Sequence, residues 1–169
     1  MSPIIRTLTA PDADAFRDLR LRGLREDPTA FAASFDEEGA IPEGLFAERL
    51  APSRDRLVLG AFEGDTLVGT LAVIRESKRK LAHKAFIVGV YVAPEARQRG
   101  AARAMMDEAM RHAFERMGVR QINLAVNAAN PAAIALYTEC GFEQFGLERV
   151  CMLVDGAPVD EIYMVCFRR

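Results

Sequence analysis

Tryptophan is missing from this 169-residue chain, and histidine, cysteine and tyrosine are scarce, with 2, 3 and 3 copies. His83 and His112 are too few and too far apart to suggest a metal site, so none is expected. Cys140, Cys151 and Cys166 cannot all pair within one chain, and none stands in a Cys-x-x-Cys spacing. Reduced, mostly buried thiols and a cytoplasmic location are the expectation. No stretch approaches the roughly 20 apolar residues of a membrane helix, and Met1 to Ala10 lacks the basic-then-apolar pattern of a signal peptide. Neither charge dominates: 22 Lys and Arg against 24 Asp and Glu give −2, with a pI near 5.8. That balance disfavours a general polyanion binder, so neither nucleic acid nor membrane is expected as a partner. A small net charge with 50% hydrophobic residues also excludes global disorder.

What is present fits one domain, 1–169, long enough for a core of its own. Ile4–Leu8 reads as a short strand. Thr9-Ala10-Pro11-Asp12 opens a helix that runs to about Arg25, before Asp27-Pro28. Residues 28–50 read as a loop with a second short helix near Glu43–Leu50. Leu57–Phe62 and Thr66–Ile74 flank Glu63-Gly64-Asp65, a hairpin signal. A basic loop, Arg75–Lys80, follows and reads as a solvated hairpin end. Ala85–Ala93 is a continuous apolar run rich in β-branched and aromatic residues, the pattern of a strand buried on both faces. Gly89 inside it suggests a bulge or a close approach. Ala102, Met105, Met106, Ala109, Met110, Ala113, Phe114 and Met117 then form a helical stripe, which Gly118 ends. Val119–Val126 is a strand, Asn130-Pro131 starts a helix that stops near Cys140-Gly141, and strands at Phe145–Val154 and Val159–Phe167 meet at a hairpin turn, Asp155-Gly156-Ala157-Pro158. The fold class is α/β, one mixed, mostly antiparallel sheet flanked by helices, in the order β-α-α-β-β-β-α-β-α-β-β.

The chemistry concentrates where a buried strand turns into a long helix, at Val90-Tyr91-Val92-Ala93-Pro94-Glu95-Ala96-Arg97-Gln98-Arg99-Gly100-Ala101-Ala102. A helix start leaves backbone N–H groups unpaired, and no Ser, Thr, Asp or Asn stands at residues 96–100 to cap them. Gly100 and two alanines keep side chains clear, so an anion fits, helped by the helix dipole and by Arg97, Arg99 and Arg103. A water-capped turn would read the same way. The spacing matches neither a P-loop nor a Gly-x-Gly-x-x-Gly turn, which disfavours a nucleotide triphosphatase or a dinucleotide enzyme.

Arg97-x-x-Gly100-x-Ala102, preceded by Val90-x-Val92-x-Pro94, resembles the acyl-CoA signature of the GNAT superfamily of N-acetyltransferases, Gln/Arg-x-x-Gly-x-Gly/Ala. Asn127-Ala-Ala-Asn130 followed by Leu136-Tyr137-x-x-x-Gly141-Phe142 resembles that family's second segment. The two blocks in this order, with elements in matching places over nearly the whole chain, make the resemblance specific; it is weakest over residues 28–50 and in the last hairpin.

The resemblance implies that acetyl-CoA is the co-substrate. The turn amides of Arg97, Gln98, Arg99, Gly100, Ala101 and Ala102 would hold its pyrophosphate. The strand edge at Val90, Tyr91 and Val92 would pair with the pantetheine arm, as an added strand does. Asn130 would contact the same arm, although it also serves as the cap ahead of Pro131. Tyr137 is the catalytic candidate, a phenol able to protonate or stabilise the departing thiolate; an aromatic packed beside Leu136 is the plain alternative. A backbone N–H near Val90–Val92 would stabilise the oxyanion. The base stays open among Glu37, Glu38, Glu143, Asp160 and Glu161.

The expected activity is direct transfer of the acetyl group to a primary amine: a small amine, polyamine, amino compound or peptide N-terminus. A non-catalytic acyl-CoA-binding or sensing module, or a transferase of a longer acyl group, is the alternative. Residues 26–48 hold seven acids (Glu26, Asp27, Asp36, Glu37, Glu38, Glu43, Glu48) and no Lys or Arg. This block predicts attraction of a cationic acceptor, with a solvated acidic loop as the alternative. The final hairpin, with Val159, Ile162, Met164 and Cys166, is either an internal strand pair or a sheet edge for a homodimer.

Overall fold

A computed structural model describes residues 3–168; the ends of the expected 1–169 domain, Met1, Ser2 and Arg169, lie outside the described residues. Among the described residues, seven strands form one sheet: β1 (Ile4–Thr7), β2 (Arg56–Glu63), β3 (Thr66–Arg75), β4 (Lys84–Val92), β5 (Gln121–Asn127), β6 (Glu143–Val154) and β7 (Ala157–Phe167). Their spatial order is β1-β2-β3-β4-β5-β7-β6. All neighbours run antiparallel except β4 and β5, which are parallel. The helices are α1 (Ala13–Glu26), α2 (Phe35–Gly39), α3 (Glu43–Arg49), α4 (Ala101–Glu115) and α5 (Pro131–Glu139).

Period-two alternation in the strands gives the sheet two apolar faces. On one face, the methionine stripe of α4 buries Met105, Met106, Ala109 and Ala113 against Leu57, Leu59, Val73 and Ile122, and α5 adds Tyr137. On the other, Phe16, Leu19 and Leu24 of α1 and Phe46 of α3 cover Val58, Phe62 and Leu67. Phe46 is fully buried, so truncating it to alanine would cost about 3–5 kcal/mol.

The expected element order holds, with one addition. The one-turn α2 falls where a loop was expected, and its start is a capping box: the Glu37 N–H donates to the Ser34 hydroxyl, and the Glu37 carboxylate accepts from the Ser34 N–H. Several boundaries shift by one to three residues. The strand expected from Val119 begins at Gln121, and the outer strand expected from Phe145 begins at Glu143. The last hairpin turns through Asp155 and Gly156 alone, both at positive φ as a two-residue turn requires, so Ala157 and Pro158 of the expected four-residue turn belong to β7. β6 is an outer strand and leaves Phe145, Leu147 and Leu153 exposed. Among the described residues no helix is long and apolar enough to cross a membrane.

Candidate active site

The central feature is a gap in the sheet. β4 and β5 pair only at Lys84–Phe86 with Gln121–Asn123. Beyond that point β4 stays on β3 and β5 stays on β7, and the two strands part. The parting begins at a bulge: three steps along β4, from Val88 to Tyr91, oppose two along β3, from Ala72 to Thr70. Gly89 sits in this bulge at φ +64°, a conformation costly for any residue with a Cβ. One edge of β4 therefore presents backbone groups to open space.

A cavity of about 470 Å³ occupies the gap and runs to the start of α4. Its lining includes Val90, Tyr91, Val92, Arg97, Gln98, Gly100, Ala101, Ala102, Asn130 and Tyr137. No side chain caps α4. Gly100 stands at its N-terminus with φ +83°, and the first backbone bond of the helix runs from the Ala104 N–H to the Gly100 carbonyl. The amides of residues 101–103 precede that ladder and meet the dipole's positive end. A side chain on Gly100 would meet nothing within 4 Å, so the space before these amides is open. This turn and the unpaired strand edge fit a phosphate-bearing group with an extended amide arm.

Tyr137 faces the cavity from α5. The residue is 6% exposed, and its ring packs edge-on to Phe142 at 6.3 Å. Burial pushes its phenol up to about 12. Among the described residues its hydroxyl has no hydrogen-bond partner, so it is a donor without an assignment within the protein. The Asn130 side chain accepts from the Ala133 N–H at 3.1 Å, which confirms its capping role and leaves its amide nitrogen for other partners.

A second cavity, about 550 Å³, lies mainly on the opposite face, under α1 and α3. Ala30, Ile87, Val88, Gly89 and Ala125 line both cavities, so the two meet at the bulge.

The sequence profile of the acetyltransferase (GNAT) family matches residues 16–142. The chain is 30% identical over 154 residues to N-alpha-acetyltransferase RimI of Mycobacterium tuberculosis, covering 90% of this chain and 86% of that protein. The chain belongs to the GNAT acetyltransferase family. It is also 33% identical over 122 residues to L-amino acid N-acetyltransferase AaaT of Escherichia coli, covering 71% of this chain and 74% of that one. Two further curated relatives are matched over only 61% and 35% of their own length, so the chain spans about a third to two thirds of them. The solved structure of a GNAT superfamily phosphinothricin acetyltransferase from Sinorhizobium meliloti, in complex with AcCoA, has the same fold, with a TM-score of 0.85 at 21% identity over 98% of this chain and 88% of that one.

Within this GNAT fold the residues expected at the site divide into two groups. The backbone of Val90–Val92, the turn ahead of α4, Asn130 and Tyr137 converge on one cavity. Two expected side chains point elsewhere. The Tyr91 hydroxyl donates to Glu26 at 2.6 Å, away from the gap, so only its backbone faces the cavity edge. Arg99 pairs with Glu63 at 3.0 Å. Arg103 lines the cavity while its Nε pairs with Asp107 at 3.0 Å. Arg97 donates through Nε to the Val92 carbonyl at 2.9 Å, pinning the turn to the strand end.

Three acids of the block have partners, while Asp36, Glu43 and Glu48 are exposed. Glu26 accepts from Arg22 and Tyr91, Glu37 closes the α2 capping box, and Glu38 is buried between Arg20 and Arg49. Burial alone would raise the Glu38 pKa, but hydrogen bonds from Arg20 and Arg49 outweigh it and hold it below the ordinary carboxylate value. Among the five carboxylates considered as bases, Glu161 of β7 lines the second cavity. Asp160 accepts from the Val150 N–H at 2.8 Å, and Glu143 lines a separate hollow near Cys140 and Cys166.

Arg20 and Arg49 had not been expected at the site. Their signal was present in α1, where Phe16, Arg20 and Leu24 follow at four-residue steps. A cation on the apolar stripe of an amphipathic helix calls for a buried partner or a ligand.

Proposed function

We propose that this chain is an N-acetyltransferase that moves the acetyl group of acetyl-CoA directly to a primary amine. The observation that carries the reading is the β4–β5 gap, with an uncapped helix start at one end and an unpartnered, protonated tyrosine on its wall. Acetyl-CoA supplies the thioester; everything else is done by the chain. The amides at residues 97–102 bind the pyrophosphate, and the Val90–Val92 edge and Asn130 align the arm. A backbone N–H of that edge stabilises the oxyanion. Glu161 takes a proton from the incoming ammonium directly or through water.

The balance of the step is simple. One carbon–nitrogen bond forms and one carbon–sulfur bond breaks. The ammonium gives up two protons: one ends on the thiol sulfur, delivered with the help of Tyr137, and the other leaves to solvent. The exposed edge of β6 is the surface on which a second copy would pair. The deciding experiment is thiol release from acetyl-CoA across amines, amino acids, polyamines and peptides. Turnover on at least one acceptor is expected; binding of acetyl-CoA with no turnover on any would favour the sensing module.

A further inference from the structure

The second cavity carries an electrostatic signature that the acetyl-transfer reading does not use. One buried carboxylate, Glu38, serves two guanidinium groups. Arg20 Nη2 donates to its Oε1 at 3.0 Å, and Arg49 Nη1 to its Oε2 at 2.8 Å. Arg20, Arg49 and Arg56 line the cavity against one lining carboxylate, Glu161, and the buried Glu38 behind it, which leaves a net positive charge in the wall. The pair is rigid: the Arg20 guanidinium lies over the Phe31 ring at 4.6 Å and that of Arg49 over Phe46 at 4.9 Å. Among the described residues Arg20 Nη1 makes no hydrogen bond. It lies 3.8 Å from the point where a side chain on Gly89 would begin, so it is aimed at the bulge where the cavities meet. The Arg20 side chain is only 16% exposed, so this donor is held in the cavity wall and open to a ligand there.

The rest of the cavity has a complementary layout. Phe16, Phe31 and Val58 give it an apolar wall, and Glu161 supplies a carboxylate. The Cys151 thiol donates to Glu161 at 3.2 Å.

Resting on the acetyltransferase reading above, we infer that the acceptor is an apolar α-amino acid bound as its zwitterion. Its carboxylate takes the open Arg20 donor beside Arg49, its amine reaches the bulge from the side of Glu161, and its side chain lies on the phenylalanines. A polyamine brings positive charge to the guanidinium pair. A peptide N-terminus lacks the carboxylate next to its amine, which leaves Arg20 unmatched. Discrimination therefore comes from a charge-assisted hydrogen bond that one class of amine can make and the others cannot.

The test compares leucine, methionine and phenylalanine with their carboxamides, with a dipeptide and with spermidine, using the full chain and acetyl-CoA. The free acids should exceed their amides by about tenfold or more in kcat/KM. Arg20→Gln should collapse the ratio of free acid to amide toward one, mainly through KM, and Arg20→Lys should restore part of it. A purely structural role for Arg20 would lower both members of each pair together and keep the ratio. If Arg20→Gln does not fold, the wild-type ratio and Arg20→Lys carry the test. Amides, the dipeptide or spermidine used as well as the free acids would overturn the inference and leave the N-acetyltransferase reading standing. Acetyl-CoA binding without turnover on any acceptor would overturn both.

Discussion

Replacing Tyr137 by phenylalanine removes one oxygen atom and leaves the ring against Phe142. Among the described residues the hydroxyl has no protein partner, so the melting temperature should stay within about 2 °C of wild type. The catalytic cost can be worked from the phenol's pKa of about 12. An ordinary thiol has a pKa of about 8.5, so full proton transfer from this phenol to a thiolate is uphill by roughly 3.5 units, or about 5 kcal/mol. Burial raises a thiolate's own pKa in the same cleft and narrows that gap. Tyr137 then acts first as a hydrogen-bond donor to developing charge, worth about 1.5–3 kcal/mol. At 1.36 kcal/mol per decade this predicts a loss of about 10- to 150-fold in kcat, short of the 10⁴-fold upper range of general-acid catalysis. Thiol release under saturating acetyl-CoA and acceptor reads it directly. A variant within twofold of wild type would remove Tyr137 from the chemistry. A loss beyond about 10⁴-fold would mean that the proton is fully transferred and the hydrogen-bond argument is wrong.

Gly100→Ala should cost about 1–2 kcal/mol through its positive φ and raise the KM for acetyl-CoA several-fold while leaving the acceptor KM in place. An unchanged acetyl-CoA KM would count against phosphate binding at this turn. Glu38→Gln should destabilise the fold by about 2 kcal/mol at pH 7, because two guanidinium groups lose their shared anion. The Glu38 pKa is depressed in the folded state, so its stabilisation is complete above the unfolded value of about 4.3 and is lost as pH falls through the folded one. The difference in melting temperature between wild type and variant should therefore close in acid; a constant difference down to about pH 2 would contradict it. Glu161→Gln should lower kcat about 100-fold near pH 7, with the deficit shrinking at high pH as the amine deprotonates unaided. A pH-independent deficit would point to a binding role instead.

The turn at the start of α4 was legible because its pattern is local. Val90 to Ala102 is a single strand–turn–helix unit, and both the missing cap and the small residues can be read along the chain. The same holds for Asn130-Pro131 and for the presence, though not the length, of the turn at Asp155-Gly156. The wall of the second cavity was not, because its charges are matched across distance. Residues 26–48 contain no Lys or Arg, so Glu38 cannot be told from its exposed neighbours when the segment is taken alone. Glu26 and Glu38 take partners from outside it: Arg20 and Arg22 from α1, and Arg49 one residue past the segment's end. Arg99 differed in the opposite sense. It sits beside the anion turn in sequence, yet it pairs with Glu63 of β2 and does not line the cavity, whereas Arg103 does. The helix α2 was missed although Ser34-x-x-Glu37 marks its start, since five residues are too few for a periodic stripe.

The parted strands have a consequence for traffic. Two cavities reach the bulge from opposite faces of the sheet. With the cofactor in one and the amine in the other, as we propose, neither would have to leave before the other arrives, and both could be aboard when the acetyl group moves, without parking it on the protein. Initial-rate lines plotted against either partner should then intersect rather than run parallel, with two independent exits for the two products.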